Sequence, residues 1–166
     1  MTKTERVLIA NQNRILAFLD TNDSENYLLK AEIAEKGYEG LYEKLFESIN
    51  EEVPKEICDE TYEILTMYQV INNLTSSLLP EQKEQVDMKK IRFEGFDLNN
   101  DKHYFFMKFI VEKTEQYEEY KDAYLNSNSI SSLRKYRQML TAYKQFLEAN
   151  QHQLSFAGLQ SIIEAI

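Results

Sequence analysis

Only a few side chains in this sequence have the chemistry to act as nucleophiles, proton carriers or metal ligands. The two histidines, His103 and His152, lie 49 residues apart, and neither has a second histidine four residues further on. The usual Cys and His zinc patterns and the Glu-x-x-His pairs of di-iron bundles are therefore absent. Cys58 falls in an apolar stripe, where a thiol is typically an inert core residue. We expect no catalytic residue, no metal site and no resident cofactor.

The segment from Phe93 to Tyr104 combines aromatic rings with side chains that can carry charge. Gly95 lies between two phenylalanines, which predicts a backbone turn that anchors both rings in the core. A pocket for a small ligand in this segment is one alternative that the sequence leaves open. The candidate ligand or interaction residues are Phe93, Gly95, Phe96, Asp97, His103 and Tyr104.

The run Asp97-Leu-Asn-Asn-Asp101 is similar to the opening of a calcium loop. Such a loop needs glycine at its sixth position and glutamate at its twelfth, where this chain has Lys102 and Lys108. The simpler interpretation is that the run caps the next helix through Asp97, Asn99 or Asn100. His103 is then expected to be a capping or surface residue at the start of that helix.

Basic residues cluster between positions 130 and 147, which hold four bases and no acid. Arg134, Lys135 and Arg137 alternate with tyrosines, a combination that nucleic-acid surfaces also use. At helical spacing the tyrosines point to the core while the bases point away, so a small basic patch for nucleic acid is a second open alternative. The net charge of −9 and the pI near 4.8 disfavour non-specific binding to nucleic acid or to an anionic membrane.

Acidic residues dominate positions 30 to 63, with eleven acids against four bases. Runs of charge are usually solvated faces or mutual partners. We therefore expect the acidic segment and the basic segment 130–147 to face each other, within one chain or across a dimer.

Length and composition predict a single all-α domain over residues 1–166. The chain has only 4 Gly and 2 Pro among 166 residues, too few for a fold of strands and tight turns. The four glycines have none of the spacings of phosphate-binding loops. The single cysteine, the polar start of the chain and the absence of a long apolar window favour a cytoplasmic protein that does not enter a membrane.

The centre of the predicted fold is a helix over about residues 54–79, opened by Pro54 in its first turn. Its second half, Ile64–Pro80, contains no charged residue, so we expect other helices to wrap it on several sides. Two apolar stripes run side by side along this helix, and only Glu60 interrupts the first of them. The third side carries small polar residues that let another helix approach closely, and these form a candidate subunit contact: Gln69, Asn73 and Ser77.

The remaining segments complete a fold of about seven helices. Their predicted bounds are Thr4–Leu19, Glu25–Lys36, Gly40–Ile49, about Asn100 to Tyr124, Leu133–Asn150, and a last helix capped by Ser155. The first helix has the capping-box spacing at Thr2 and Glu5. Its residues Leu8, Ile15 and Leu19 share one apolar face.

Several motifs resemble the YfbU family of small bacterial proteins, in the same order and spacing over nearly the whole chain. They are Glu5-Arg6-Val-Leu-Ile-Ala-Asn11-Gln12 with Leu19-Asp20, Gly37-Tyr38, Glu56-x-Cys58 leading to Met67-Tyr68, and Tyr136-Arg-Gln-Met139-Leu140. The most specific is Phe93-Glu-Gly95-Phe96-Asp97 followed by Tyr104. The resemblance implies a single-domain, helical, cytoplasmic protein without an agreed biochemical activity, so no catalytic residues can be transferred.

Missing catalytic motifs, surplus apolar helical surface and segregated charge together favour a non-catalytic protein-interaction or regulatory module. We expect a homo-oligomer, with a dimer favoured, and a protein partner whose identity the sequence does not give. The alternatives are a nucleic-acid-associated regulator that uses the basic patch, and an unrecognised enzyme or ligand binder with a pocket near residues 93–104.

Overall fold

A computed structural model of the chain describes residues 1–121, 125–129, 131–150 and 153–166. Within these ranges the chain forms seven α-helices and two short 3-10 helices, and its only β pairing is one isolated bridge. The all-α prediction is confirmed. The α-helices are α1 (Lys3–Leu19), α2 (Ser24–Lys36), α3 (Lys55–Ser77), α4 (Pro80–Lys83), α5 (His103–Lys113), α6 (Ser131–Ala149) and α7 (Phe156–Glu164).

The chain forms two compact units, Met1–Glu52 and Val53–Ile166. The first unit contains α1 and α2, and the second contains α3 to α7. Among the described residues, no helix is both long enough and apolar enough to cross a membrane.

The first unit is a helical hairpin in which α1 and α2 meet mainly through small side chains. The predicted capping box opens α1: the Glu5 carboxylate accepts the Thr2 N–H at 2.7 Å, and the Thr2 hydroxyl accepts the Glu5 N–H at 3.2 Å. At the same open end of the hairpin, α2 stops at Gly37, which has a left-handed φ of +73°. The buried side chains of the unit are Ala10, Ala17, Ala31, Ile33 and Ala34. Alanine side chains let the two helices approach closely. The large apolar side chains of α1 lie outside this contact and are exposed.

The segment after α2 departs from the prediction. The α-helix predicted over residues 40–49 is a 3-10 helix over Glu39–Leu45, with hydrogen bonds such as Phe46 N–H to Glu43 O at 3.0 Å. A glycine near its start and its short length both weaken an α-helix here, because short isolated helices are marginal.

Arg6 ties α1 to the end of α2. Its Nε donates to the Ala34 carbonyl at 2.8 Å, and its Nη2 donates to the Glu35 carbonyl at 2.6 Å. Carbonyls in the last helical turn have no intrahelical donor, and a cation there also interacts well with the helix dipole. The guanidinium lies against Gly37, where an added Cβ would approach the Arg6 Cζ to 2.6 Å. Arg6 and Gly37 lie 31 residues apart in the chain, and together they form the contact between the start of α1 and the end of α2.

An Arg6→Ala substitution is expected to lower the free energy of unfolding of the first unit by about 1–2 kcal/mol, because two carbonyls lose charge-assisted hydrogen bonds. Urea denaturation followed by circular dichroism measures the change. Arg14→Ala is the matched control, since Arg14 makes an exposed ion pair with Glu35 at 2.6 Å; that loss is expected to stay below about 0.5 kcal/mol. Equal losses in both variants would mean that Arg6 acts only as a surface charge.

The second unit is built around α3, which confirms the predicted central helix. Pro54 is the N-cap of α3, one position before the first turn in which the sequence placed it. Helices α5 and α6 both pack against α3, and α7 packs against α6. The apolar α3 residues with no exposed surface are Ile64, Leu65, Met67, Tyr68 and Ile71, and Thr61 is equally buried. The charge-free segment is therefore buried on the sides that meet α5 and α6, as its composition predicted, while Asn73 and Ser77 on its remaining side are exposed.

Helix α5 is shorter than predicted. It ends at Lys113, because Thr114 is extended and Tyr117 has a left-handed φ of +55°. A left-handed tyrosine interrupts the helical hydrogen-bond ladder, so the periodic tyrosines that follow do not continue the helix. The predicted end of the helix, Tyr124, lies outside the described residues.

Candidate functional site

A triad of polar side chains joins three helices of the second unit. Glu60 on α3 accepts two hydrogen bonds from Arg137 on α6, from Nε to Oε1 at 2.7 Å and from Nη2 to Oε2 at 2.8 Å. The same Oε2 lies 2.7 Å from Nε2 of His103, the first residue of α5. One carboxylate thus links α3, α5 and α6.

The surroundings of His103 define how its ring is held. The residue is only 3% exposed, and its ring stacks on Phe96 with centroids 5.2 Å apart. Its Nδ1 is buried and has no hydrogen-bond partner among the described residues. A buried N–H without an acceptor is costly, so Nε2 is assigned as the nitrogen that carries a hydrogen and donates it to Glu60. The prediction that His103 is a capping or surface residue is wrong.

Glu60 is held in its ionised form. The hydrogen bonds from the Arg137 guanidinium, helped by His103, lower the pKa of Glu60 to about 2, although partial burial opposes the shift. Both oxygens are occupied by protein donors, and a general base works best with a pKa near the operating pH. The triad is therefore best explained as a link between helices.

An open groove of about 640 Å³ lies beside the triad between α3 and α6. A second ion pair crosses it, in which the Lys144 Nζ donates to the Glu63 Oε1 at 2.7 Å. Together with the Glu60–Arg137 pair, this contact joins the acidic segment to the basic segment within one chain. The lining residues are Glu56, Asp59, Glu60, Glu63, Arg137, Leu140, Thr141 and Lys144.

The three residues of the predicted basic patch have different surroundings. Arg137 is held by Glu60, while the Lys135 Nζ donates to the Arg92 carbonyl at 3.4 Å. Arg134 is exposed. A nucleic-acid role for Arg134, Lys135 and Arg137 stays a prediction, and it would require Arg137 to leave a bidentate carboxylate partner.

The predicted turn at Gly95 is present and is packed tightly against the backbone of Leu125. Gly95 has a φ of +83°, and a Cβ added there would lie 1.7 Å from the Leu125 carbonyl oxygen. The next residue, Phe96, donates its N–H to that same oxygen at 3.0 Å and accepts the Ser127 N–H at 3.0 Å. These bonds form the isolated bridge of the structure. Glycine is required here both for its conformation and for its lack of a side chain.

Aromatic rings surround this turn. The Tyr136 hydroxyl donates to the Gly95 carbonyl at 2.9 Å and accepts the Glu94 N–H at 2.9 Å, so it satisfies both backbone groups. Burial raises the pKa of Tyr136. The ring of Phe93 packs against Tyr68 at 5.0 Å and against Tyr136 at 5.4 Å. We call this cluster of Tyr68, Phe93, Gly95 and Tyr136 the hub, and its rings and hydrogen bonds hold the Gly95 turn against the core.

The acidic run after the hub folds on itself. The Asp97 carboxylate accepts the Asn99 N–H at 2.8 Å and the Asn100 side-chain N–H at 3.0 Å, and these bonds, that of Asn100 first, lower the pKa of Asp97. The Asp97 N–H donates to the Asp101 carboxylate at 3.0 Å. Helix α5 begins at His103 without a side-chain cap, so the predicted capping role of this run is wrong.

The candidate ligand residues therefore divide into two groups. Gly95, Phe96 and His103 are buried within the protein, whereas Phe93 also lines an open cavity of about 440 Å³. The other residues that line this cavity are Asn72, Met88, Ile91, Arg92 and Tyr120. Tyr104 is half-buried, and its ring meets Phe105 edge-to-face at 5.4 Å. A ligand role for this segment stays a prediction.

The predicted subunit contact lies on the open side of α3. Gln69 is half-buried, and Asn73 and Ser77 are exposed. The Ser77 hydroxyl donates to the Leu74 carbonyl of its own helix at 2.8 Å. The role of these three residues in assembly stays a prediction.

A larger exposed surface is apolar and lies on α1. The side chains opposite its buried alanines are open: Leu8 57%, Ile15 61%, Phe18 85% and Leu19 71% exposed. We call these four residues the α1 face. The sequence grouped three of them on one side of the helix, but it did not reveal that α2 would contact the alanine side.

Sequence reasoning also missed Glu60 as the centre of the triad. Its signal was present, because Glu60 is the one charged residue that interrupts the apolar stripes of α3. A charge within a buried stripe indicates a charged or hydrogen-bonding partner on a neighbouring helix. The sequence did not identify that partner, since Arg137 lies 77 residues away.

The other residues considered for chemistry give no site. Cys58 is half-buried, with its Sγ 3.9 Å from the Val53 carbonyl oxygen. His152 lies outside the described residues. No three His, Cys, Asp or Glu side chains of the described ranges are arranged to hold a metal ion.

Comparison with protein families agrees with the resemblance seen in the motifs. The model of the YfbU domain matches residues 1–165, which includes every motif quoted above and both compact units except the last residue. The chain belongs to the YfbU family.

Proposed function

We propose that this protein is a non-catalytic protein-interaction module of a regulatory kind, and that it binds its partner through the α1 face. The exposure of Leu8, Ile15, Phe18 and Leu19 carries the proposal. Soluble monomers rarely expose contiguous apolar patches larger than a few hundred Å², and larger ones mark interaction sites. Four large apolar side chains on one helix form such a patch.

The attachment of α1 supports this role. Its start is fixed by the Thr2–Glu5 capping box, and Arg6 binds it to the end of α2. The alanine side of the helix packs on α2. A surface that is already ordered loses little conformational entropy on binding. A larger part of the free energy gained by burying its apolar side chains therefore contributes to affinity.

The polar chemistry of the second unit supports the same proposal. Glu60 is ionised and occupied by two protein donors, and the groove beside it is crossed by a further ion pair. These groups explain how three helices stay together, and the low pKa of Glu60 does not suit a general base at neutral pH. Interaction, not catalysis, is the role that this arrangement supports.

The test is site-specific photo-cross-linking in cells that express the protein. A photoreactive phenylalanine analogue is placed at Leu8 in one variant and at Phe105 in another. Phe105 is the matched control, because it is an exposed apolar side chain on a helix of the second unit, at 58% against 57% for Leu8. We expect discrete adducts of defined mass from position 8 and none from position 105.

Adducts of equal yield at both positions would show only non-specific hydrophobic association. No adduct at position 8 would mean that the α1 face contacts no other protein. Either result would overturn the proposed function.

A further inference from the structure

We infer that the occupant of the α1 face is a second copy of this chain, whose own α1 packs antiparallel against it about a two-fold axis. This inference rests on the proposed function and names the partner of the same surface. It is carried by the spacing of the apolar residues, by the area they expose and by the direction of the α1 dipole.

The spacing suits helix-on-helix packing. Positions 1, 4, 8, 11, 15 and 18 follow alternating steps of three and four residues, the pattern of a helix–helix seam. They hold Met1, Thr4, Leu8, Asn11, Ile15 and Phe18, all of which are exposed. The buried Ala10 and Ala17 lie on the other side of the helix. One helix therefore has two packing sides, and the hairpin uses only one of them.

The exposed area supplies the apolar centre of a dimer interface. With on the order of 100 Å² of apolar surface on each, the four residues of the α1 face offer about 400 Å² per copy. Each partner in a standard stable interface buries about 800 Å² in total, polar rim included. An isologous contact buries this patch twice, once on each copy.

The sequence of α1 is self-complementary in the antiparallel direction. A two-fold axis between Asn11 and Gln12, close to the middle of α1, places Leu8 opposite the partner's Ile15. The same axis places Asn11 opposite the partner's Gln12, so that amide side chains meet amide side chains at the centre. Thr4 is then opposite the partner's Leu19. Gln12 and Leu19 lie one position beyond the seam, and the axis also sets Phe18 beside the partner's Glu5, so the register rests on the Leu8–Ile15 contact, which the two-fold axis forms twice.

The helix dipoles favour the antiparallel direction. Antiparallel packing brings the start of α1, at Lys3, beside the end of the partner's α1, at Leu19, so that the opposite partial charges of the two helix termini lie next to each other. A parallel pair would place the like termini of the two helices together.

Sedimentation equilibrium tests the dimer over about 1 to 100 µM, the range that resolves a micromolar Kd. We expect the wild-type mass to approach twice the 19.7 kDa of one chain. The double variant Leu8→Glu, Ile15→Glu is expected to stay at the mass of one chain. The matched control is Phe105→Glu, Phe109→Glu, which removes two side chains of similar exposure from α5, 58% and 57%; it is expected to dimerise like the wild type. Circular dichroism confirms that each variant keeps its helical content.

The outcomes separate the inference from the proposed function. A wild-type protein that remains a monomer overturns the inference, and it leaves the proposed function standing if position 8 still forms adducts with another protein. A monomer that forms no adducts at position 8 overturns both. A dimer that the α5 variant dissociates and the α1 variant does not would place the interface elsewhere and overturn the inference.

Cross-linking tests the direction. Thr4→Cys and Leu19→Cys are made separately in a Cys58→Ser background and treated with a short thiol-specific cross-linker. The antiparallel arrangement predicts a covalent dimer only when the two variants are mixed, because position 4 faces the partner's position 19. Covalent dimers from each variant alone, and none specific to the mixture, would show a parallel pair and overturn the antiparallel arrangement.

Discussion

A Gly95→Ala substitution is expected to lower the free energy of unfolding of the second unit by about 4 kcal/mol or more. The left-handed φ of +83° strains any residue with a Cβ, by about 1–2 kcal/mol. The new Cβ would also lie 1.7 Å from the Leu125 oxygen, a backbone atom that no rotamer change can move away. The turn must therefore shift, and it then loses the two backbone hydrogen bonds between Phe96 and the strand-like segment at Leu125 and Ser127.

Near-UV circular dichroism of the tyrosines during urea denaturation measures this effect, since Tyr68 and Tyr136 pack in the same hub. Gly40→Ala is the control for the change of residue type, because nothing lies within 4 Å of a Cβ at that position. Its effect is expected to stay within about 0.5 kcal/mol. A Gly95→Ala protein that unfolds at the same urea concentration as wild type would contradict the packing described at this turn.

A Glu60→Ala substitution is expected to cost about 2–3 kcal/mol at neutral pH. It leaves the buried Nε2 of His103 without an acceptor and removes both hydrogen bonds from Arg137. The matched control is Glu63→Ala, one turn further along α3, whose ion pair with Lys144 is exposed on both sides. That change is expected to cost less than about 1 kcal/mol. Similar losses in the two variants would mean that the triad contributes no more than a surface pair.

The effect of Glu60 also depends on pH in a defined direction. Because folding lowers its pKa from 4.5 to about 2, the ionised carboxylate stabilises the folded state. This contribution is complete above pH 4.5 and is lost as the pH falls toward 2. The difference in stability between wild type and Glu60→Ala is therefore expected to shrink over that interval, and a difference that stays constant would exclude the low pKa.

The parts of the fold that were predictable are those in which a single segment contains its own signal. The absence of charge from Ile64 to Pro80 identified the buried helix, and Pro54 marked its start. Thr2 with Glu5, and Gly37, marked the ends of the hairpin helices for the same reason. Local capping chemistry and composition act within one turn of helix, so a sequence displays them directly.

The errors fall where a distant residue decides the outcome. His103 was interpreted as a surface or capping residue, yet Glu60 and Phe96 enclose it from other elements. The tyrosines after Lys113 continue a helical spacing, but Tyr117 adopts a left-handed conformation that periodicity does not reveal. Tertiary contacts override local propensity at such positions.

The α1 face was predictable in part from local spacing and in part depended on a distant contact. Sequence spacing grouped Leu8, Ile15 and Leu19, but it could not show which side of α1 would contact α2. The alanine side makes that contact, and this is why the large residues remain open for a partner. The central claim is therefore that this open side is covered by a second copy.

Thiol labelling tests that claim most directly. Leu8→Cys and Phe105→Cys are compared in a Cys58→Ser background, and the labelling rate is measured as the protein concentration rises. The predicted result is a rate at position 8 that falls with the fraction of free monomer, while the rate at position 105 stays constant. A rate at position 8 that does not change with concentration, in a range where the wild-type mass doubles, would show that the dimer forms elsewhere and would contradict the claim.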